Sequence, residues 1–364
     1  MKKIRVLQVV TQMHRAGLET MLINYFRHID RNIIVFDFLT HREGSFDYDE
    51  EIKELGGRIY TVPGISPKNF TKYLAALDAF FSEHNEYSIV HCHLDALSAF
   101  VLRSAKNAGV PVRIAHSHNN GFEKDGKIFF RYAARTLIPM YATHFWGCSK
   151  EAVRFMFKNT KNLFILPNAI DVKQFAFTEN DRNISRNDFN VNGKFVVGNV
   201  GRLCSQKNQE FLLEIFAEIK KIRKDSVLII AGEGDQLTTL RKKALFLNIY
   251  DDVRFICSCG NIPQLLSAMD VFVFPSRFEG FGIALLEAQA SELSCVASDV
   301  IVDEVRLSDN IKCLSLNQTA LMWARAVLSA KLRSENLFSP LVGSEYDISV
   351  AAKKLCNKYL SFLE

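Results

Sequence analysis

The sequence of 364 residues lacks any uncharged apolar stretch near the ~18 residues that a membrane-spanning helix needs. Its first ten residues also lack the features of a signal peptide, because Arg5 interrupts the apolar run and no small-residue cleavage site follows. They predict a first β-strand instead. We therefore expect a cytoplasmic protein.

Cysteine occurs eight times but never at CxxC spacing, and the chain has no low-complexity tract or internal repeat. Scattered cysteines in a chain of this length, without a secretion signal, argue against a disulfide framework. A zinc finger at Cys257 and Cys259 would need a second cysteine pair at the right spacing, and none is present.

Four histidines, His91, His93, His116 and His118, end two neighbouring predicted strands. A four-ligand metal site there is conceivable. No carboxylate stands at ligand spacing nearby, so we expect no metal and assign His91, His93 and His116 structural or supporting roles.

Charge is unevenly distributed in this chain, whose net charge is +5. Residues 102–161 hold 11 Lys+Arg and three Asp+Glu, together with aromatic residues such as Phe129, Phe130 and Tyr132. Basic and aromatic residues together suit an anionic membrane surface or an anionic acceptor, and the simpler alternative is a solvated helix face with core aromatics. Nucleic acid is not an expected partner, because no recognition motif accompanies the charge.

Short apolar runs of β type alternate with longer runs of helical periodicity in two series, over residues 4–115 and 195–297. Each series predicts a parallel sheet covered by helices on both faces. We therefore expect an α/β protein of two doubly wound, Rossmann-like domains, residues 1–168 and 169–346, facing a central cleft. The polar residues 178–193 show no periodicity and predict a surface loop.

Strand-to-helix loops are the places to search for chemistry, because open α/β sheets bind ligands where their strands end. The first such loop ends in Ala16 and Gly17, and a glycine at a helix start lets backbone approach an anion. A second loop holds Gly201, Arg202 and Lys207. Its two cations, at the positive end of a helix, suit a diphosphate, although solvated surface charges are the alternative.

A third loop contains Glu279 and is followed, inside an apolar helical run, by Glu287. A carboxylate in such a run needs partners, because burying it alone is costly, and sugar hydroxyls are suitable donors. The amides of Phe281, Gly282 and Ile283 would face an anion at the start of that helix. A helix-capping acid and a surface acid are the alternative.

These features together resemble the retaining glycosyltransferases of family 4, with the bacterial exopolysaccharide and capsule branch as the closest match. The resemblance is carried by Glu279 and Glu287, the loop at residues 201–208, the Asn-Ala-Ile-Asp segment at 168–171 and the Gly-Glu-Gly-Asp turn at 232–235. It covers essentially the whole chain in the correct order. It implies the GT-B fold, a nucleotide diphosphate sugar as donor substrate, no cofactor and no essential metal.

The resemblance also implies roles for individual residues. Arg202 and Lys207 would neutralise the departing diphosphate, Glu279 and His118 would contact the donor sugar, and Glu287 would bind the ribose. The other candidates are the phosphate- or sugar-facing backbone at Ala16, Gly17, Gly201, Phe281, Gly282 and Ile283, and the base-pocket residues Gly232, Glu233, Arg254, Phe255 and Ile256. Residues 347–364 would form a terminal helix that packs back on the N-terminal domain.

The sequence departs from the family pattern at Ala16 and Ala169, each of which replaces a usual glycine, and at residues 256–259, where Ile-Cys-Ser-Cys replaces a glycine-containing turn. None of these changes removes an ionisable candidate. A Rossmann dehydrogenase is not expected, because Gly232 and Gly234 are followed by leucine at position 237, where the third glycine would stand.

The implied function is transfer of a sugar, with retention of anomeric configuration, from a UDP- or GDP-linked donor to a glycan or polyprenyl-linked acceptor. Residues 102–161 would reach that acceptor at the cytoplasmic face of the membrane. Domain closure would exclude water and protect the donor from hydrolysis. Two alternatives stay open: a non-catalytic subunit that binds sugar nucleotides, and a GT-B relative such as a nucleotide-sugar epimerase.

Overall fold

The computed structural model describes residues 3–66, 68–122, 125–158, 160–161, 163–257, 261–333, 339 and 341–363. The chain divides into two compact units, one formed by Met1–Ile170 with Glu345–Glu364 and the other by Asp171–Ser344. The division falls after Ile170, close to the boundary expected after residue 168. Each unit contains a parallel sheet with helices between its strands, which confirms the predicted class of two doubly wound α/β domains.

Seven parallel strands form the sheet of the first unit. They are β1 (Ile4–Val9), β2 (Ile34–Thr40), β3 (Ile59–Thr61), β4 (Ile89–Cys92), β5 (Val112–Ser117), β6 (His144–Gly147) and β7 (Leu163–Ile165). Their spatial order is β3-β2-β1-β4-β5-β6-β7. The winding of the chain therefore reverses between β1 and β4, and such reversal points are where open α/β sheets bind ligands.

The helices that follow these strands cover both faces of the sheet. They are α1 (Gly17–His28), α2 (Asp49–Glu54), α3 (Phe70–Glu83), α4 (Ser98–Asn107), α5 (Ile128–Tyr141) and α6 (Lys150–Phe157). All seven residues of β2 are buried, as expected for a strand with helices on both sides. Its Asp37 is tolerated there because Arg5 pairs with it and the Tyr87 hydroxyl donates to it at 2.8 Å.

The sheet of the second unit has six parallel strands. They are β8 (Phe195–Val200), β9 (Ser226–Ala231), β10 (Val253–Ile256), β11 (Val271–Phe274), β12 (Ser294–Ser298) and β13 (Ile311–Leu314). Their spatial order is β10-β9-β8-β11-β12-β13, so the reversal point of this unit lies between β8 and β11.

The second unit contains the helices α7 (Glu179–Asp188), α8 (Gln209–Ile222), α9 (Leu237–Phe246), α10 (Ile262–Ala268), α11 (Ile283–Ala290) and α12 (Ala320–Leu328). The chain then returns to the first unit as α13 (Ile348–Leu360), whose Tyr359 is fully buried. In the part of the chain that the structure describes, no helix has both the length and the apolar character needed to cross a membrane.

The prediction of a surface loop over residues 178–193 is wrong, because α7 occupies most of that segment. Thr178 caps the helix by accepting a hydrogen bond from the amide of Asp181 at 3.0 Å. Arg182 and Arg186, one turn apart, both reach the carboxylate of Asp270. Polar contacts at helical spacing hold this helix, so a search for apolar periodicity does not detect it.

Candidate functional site

The loops that follow β8 and β11 lie side by side, because these strands are neighbours at the reversal point of their sheet. Hydrogen bonds join the two loops. The amide of Arg277 donates to the carbonyl of Gln206 at 2.8 Å, and the Gln206 side chain donates to the carbonyl of Phe278 at 2.9 Å. The two loops therefore form one surface, and they carry the candidates Lys207 and Glu279.

Lys207 and Glu279 are in direct contact. The Lys207 ammonium donates to Oε1 of Glu279 at 2.6 Å, and its Nζ lies 5.0 Å from the centre of the Phe274 ring. The side chains are only 17% and 5% exposed, so little water screens the pair. The structure thus brings the candidate phosphate-binding cation and the candidate sugar-binding acid into one site.

Glu287 is the fifth of the eight residues of α11 and is almost fully buried. Burial raises the pKa of its carboxyl to about 8, because the charged form loses its hydration. No ion pair to this carboxyl exists within the described residues. A neutral carboxyl can both donate and accept hydrogen bonds, which suits recognition of hydroxyl groups.

The backbone at the start of α11 has the geometry expected of an anion-facing helix end. Gly282 precedes the helix with φ of +85°, in the left-handed region that glycine adopts without strain. Phe281 is buried and Ile283 is half-buried, so the main chain at this turn lies close to the protein interior. The first amides of a helix have no partner within it and are therefore available to a ligand.

The loops after β8 and β9 approach each other backbone to backbone. The amide of Leu203 donates to the carbonyl of Glu233 at 2.8 Å. A Cβ atom on Gly232 would lie 2.1 Å from the carbonyl oxygen of Gly201. A Cβ atom on Gly234 would lie 2.1 Å from the carbonyl oxygen of Leu203. The glycines of the turn at 232–235 are therefore required by the packing of one loop on the other.

The two remaining cationic candidates of the second unit, Arg202 and Arg254, make no hydrogen bond or ion pair with Lys207 or Glu279 in the described part of the chain. Arg202 is exposed, and across the described ranges its guanidinium meets no carboxylate. Arg254, on β10, donates to the carbonyl of Asp251 at 2.6 Å. Phe255 and Ile256 are half-buried beside it, and Ser258 and Cys259 lie outside the described residues.

In the first unit, α1 begins at Gly17, the last residue of the predicted first loop and one residue before the predicted helix start at Leu18. Ala16 is extended (φ −137°) and offers no side-chain cap, which leaves the first amides of α1 to other acceptors. The loop before it is held by Asp47, which accepts from the amide of Arg15 at 3.0 Å and contacts His14 at 3.0 Å. These hydrogen bonds, the Arg15 amide foremost, lower the pKa of Asp47.

His118 follows β5 and is half-buried. Its backbone amide donates to Oδ1 of Asp95 at 3.0 Å, and its ring Nε2 lies 2.9 Å from Nδ1 of His93. Burial lowers the pKa of His118 to about 3. The ring is therefore neutral at physiological pH and can act as a hydrogen-bond donor and acceptor, but not as a cation.

His91, His93 and His116 can each offer a ring nitrogen to a metal ion, and these atoms lie within 4.8 Å of one another. Hydrogen bonds already occupy most of the nitrogens. Nε2 of His91 is 2.9 Å from Nδ1 of His116, and both nitrogens of His93 have partners. This arrangement favours a hydrogen-bonded cluster over a metal site.

Sequence reasoning missed three residues that contact the histidine cluster: Gln8, Asp95 and Tyr359. Gln8 could have been found, since an amide inside a buried strand needs a hydrogen-bond partner. Tyr359 could not, because its contact with Gln8 joins residues 351 positions apart.

Comparison with known proteins places the chain among glycosyltransferases. Residues 181–308 match the family Glycosyl transferases group 1. The glycosyltransferase EpsF of Bacillus subtilis is 34% identical over 98% of this chain and 96% of its own length. A second relative is the UDP-Gal:alpha-D-GlcNAc-diphosphoundecaprenol alpha-1,3-galactosyltransferase of Escherichia coli. It is 28% identical over 82% of this chain and 80% of its own length.

The fold also has a match among solved structures. Alr3699/HepE of Anabaena, crystallised with UDP-glucose, superposes with a TM-score of 0.76 over 99% of this chain and 96% of that one. The sequences are 17% identical. The likeness shows a shared two-domain fold.

Proposed function

This chain belongs to the group 1 glycosyltransferases, and from that premise we propose the reaction it performs and the residues that perform it. It moves a sugar from a UDP- or GDP-linked donor to a glycan or polyprenyl-linked acceptor in the synthesis of a cell-surface polysaccharide. The anomeric configuration is retained and no metal ion takes part. The contact between Lys207 and Glu279 is the observation that carries this proposal.

Lys207 balances the charge that develops on the departing diphosphate. A preorganised cation in a poorly hydrated loop stabilises such charge better than water does. Its own carboxylate partner, Glu279, is positioned to accept hydrogen bonds from the donor sugar. Lys207 would thereby contact the diphosphate and Glu279 the sugar, the two groups that the breaking bond joins.

The same charge balance supports the proposal of metal independence. Lys207, Arg202 and the first amides of α11 supply positive charge and hydrogen-bond donors where another enzyme would place a divalent cation. Glu287, neutral when the site is empty, binds the ribose hydroxyls of the nucleotide.

The donor base is proposed as uracil or guanine because relatives of both kinds exist. The name of the Escherichia coli relative specifies UDP-galactose, and that of a Mycolicibacterium smegmatis mannosyltransferase, 24% identical, specifies GDP-mannose. The acceptor is proposed from the first of these names, which contains a diphosphoundecaprenol-linked sugar.

Helix α5 supports contact with the membrane that would carry such an acceptor. Phe129 and Met140 on this helix are 84% and 59% exposed, and Tyr132 is exposed between them. Arg135 lies beside them, with its guanidinium 5.5 Å from the centre of the Tyr132 ring, whereas Arg131 pairs with Asp125 at 2.9 Å. An apolar stripe edged by arginine suits the headgroup region of an anionic bilayer. We place this contact at the cytoplasmic face.

The test is a transfer assay with the purified full-length chain. UDP- and GDP-sugars are screened by thermal shift, and the stabilising donor is incubated with a polyprenyl diphosphate-linked sugar, with and without EDTA. We expect a product of retained configuration by NMR and no loss of rate with EDTA. Donor binding without transfer would instead favour a non-catalytic subunit, and an altered free donor would favour an epimerase.

A further inference from the structure

A chain of hydrogen bonds runs from the C-terminal helix α13 through the first sheet to His118. The side-chain nitrogen of Gln8, on β1, lies 3.2 Å from the hydroxyl of Tyr359. Oε1 of Gln8 lies 2.8 Å from Nε2 of His93, and Nδ1 of His93 lies 2.9 Å from Nε2 of His118. Gln8 and His93 are almost completely buried, so water does not compete for these bonds.

The direction of the chain follows from the donors and acceptors that each group possesses. The amide oxygen of Gln8 can only accept, so Nε2 of His93 carries a hydrogen. Burial and the neighbouring histidines hold the pKa of His93 well below its ordinary value, so its ring is neutral and Nδ1 is an acceptor. The hydrogen between the two rings therefore belongs to Nε2 of His118.

A second branch accommodates Gln8 in this orientation. The hydroxyl of Tyr359 lies 2.7 Å from Nδ1 of His91, and Nε2 of His91 lies 2.9 Å from Nδ1 of His116. If the Tyr359 hydroxyl donates to His91, its oxygen is left to accept from the amide nitrogen of Gln8. Turning the Gln8 amide over would require every hydrogen in both branches to move.

His118 is fixed from its backbone as well as from its ring. Asp95 accepts from the amide of His118 at 3.0 Å and from the side-chain nitrogen of Asn119 at 2.8 Å. Asp95 holds φ at +48°, an uncommon value for a residue other than glycine, which places its carboxylate beside the loop. Nδ1 of His118 has no hydrogen-bond partner among the residues that the structure describes.

We propose that Gln8 and His93 are positioning residues that hold His118 in its Nε2–H tautomer, so that Nδ1 is presented as a hydrogen-bond acceptor. The group it binds is then a hydroxyl of the donor sugar, because a phosphate oxygen has no hydrogen to offer. This inference rests on the proposed function for the contact between His118 and the donor. The state of the ring itself is a property of the ligand-free protein.

The first test is NMR of the full chain with ¹⁵N-labelled histidine, because the nitrogen shift separates protonated from unprotonated ring nitrogens. The His118 signals are those lost in His118→Asn. We expect the Nε2–H tautomer in the wild type and a mixture in Gln8→Met and His93→Leu. His93→Asn should restore Nε2–H, since an asparagine oxygen can stand near the place of Nδ1 and accept.

Tyr73→Phe is the matched control. It removes the hydroxyl that lies 3.0 Å from Nε2 of another buried histidine, His41, which directly follows β2, and should leave the His118 signals unchanged. An Nδ1–H tautomer in the wild type, or an unchanged tautomer in both Gln8→Met and His93→Leu, would overturn the positioning chain.

Turnover measured on the same variants separates this inference from the proposed function. We expect Gln8→Met to lower kcat about tenfold through misorientation of the ring, with the donor KM changed much less. His93→Asn should retain more activity than His93→Leu. A shifted tautomer with unchanged kcat would overturn the contact with the donor and leave the hydrogen-bonded chain standing.

Discussion

Lys207 and Glu279 form a hydrogen-bonded ion pair across 72 residues of sequence, at the point where the winding of the second sheet reverses. Neither side chain needs the other for the fold of its own loop, since hydrogen bonds of Gln206 already join the two loops. A poorly exposed ion pair is weak evidence for stability, because desolvation offsets much of the attraction. Its position at a ligand-binding edge favours a role in the reaction.

Lys207→Ala should lower kcat/KM for transfer by about 10²–10³-fold, the usual cost of removing one preorganised contact to developing charge. Nucleotide affinity should also fall, since the diphosphate loses a cation. Steady-state kinetics and titration with the nucleotide measure the two effects. Lys243→Ala is the matched control, because Lys243 pairs with Glu214 on the surface of the same unit. Unchanged turnover in Lys207→Ala would refute the role of this lysine.

The buried carboxyl of Glu287 should make stability depend on pH. Its pKa is raised from 4.5 in the unfolded chain to about 8 in the folded protein, so the folded state binds the proton more tightly. The free energy of unfolding should therefore decrease as pH rises from about 4.5 to about 8. Glu287→Gln should remove this part of the dependence.

Urea unfolding of the ligand-free protein, at several pH values from about 5 to about 9, measures this decrease in the free energy of unfolding. Glu83→Gln, at an exposed position of α3, is the control and should leave the pH profile as in the wild type. A profile of Glu287→Gln that parallels the wild type would show that this carboxyl ionises freely in the folded protein.

Gly232→Ala should destabilise the second unit because its new Cβ would meet the carbonyl oxygen of Gly201 at 2.1 Å. Gly193→Ala separates this clash from backbone strain. Gly193 also has a positive φ, but nothing lies within 4 Å of its Cβ position. We expect Gly232→Ala to cost about 1–3 kcal/mol more than Gly193→Ala in urea unfolding. Equal losses would mean that the two loops separate without cost.

Phe129→Ser combined with Met140→Ser should weaken binding of the protein to phosphatidylglycerol vesicles, because each substitution removes an exposed apolar side chain from α5. Phe246→Ser is the matched control: Phe246 is 84% exposed, like Phe129, but lies on α9 of the other unit. Sedimentation with vesicles of increasing anionic content measures the difference. Equal binding by the double variant and the control would remove α5 from the membrane contact.

The sequence alone was sufficient to predict the two sheets and most of their strands and helices. Strands buried on both faces are short continuous apolar runs, as in β9 and β11, and the helices between them carry apolar residues at helical spacing. Helix α7 escaped this approach because Arg182 and Arg186 hold it through polar contacts with Asp270. Those contacts exist only once α10 and β11 have brought Asp270 into place.

The candidate residues were visible in the sequence, but their relationships were not. Residue type and loop position singled out Lys207, Glu279 and Glu287 one by one. Strand order decided that the first two touch, because β8 and β11 are neighbours in the sheet although β9 and β10 lie between them in the sequence. Burial, a property of the packed helix, decided that the third is neutral.

The histidine cluster shows the same division between local and tertiary information. The sequence determined that four imidazoles would end two adjacent strands, because strand periodicity is local. The partners that orient them, Gln8 and Tyr359, come from the first strand and the last helix. A hydrogen bond depends on distance and angle in space, and separation along the chain carries no information about either.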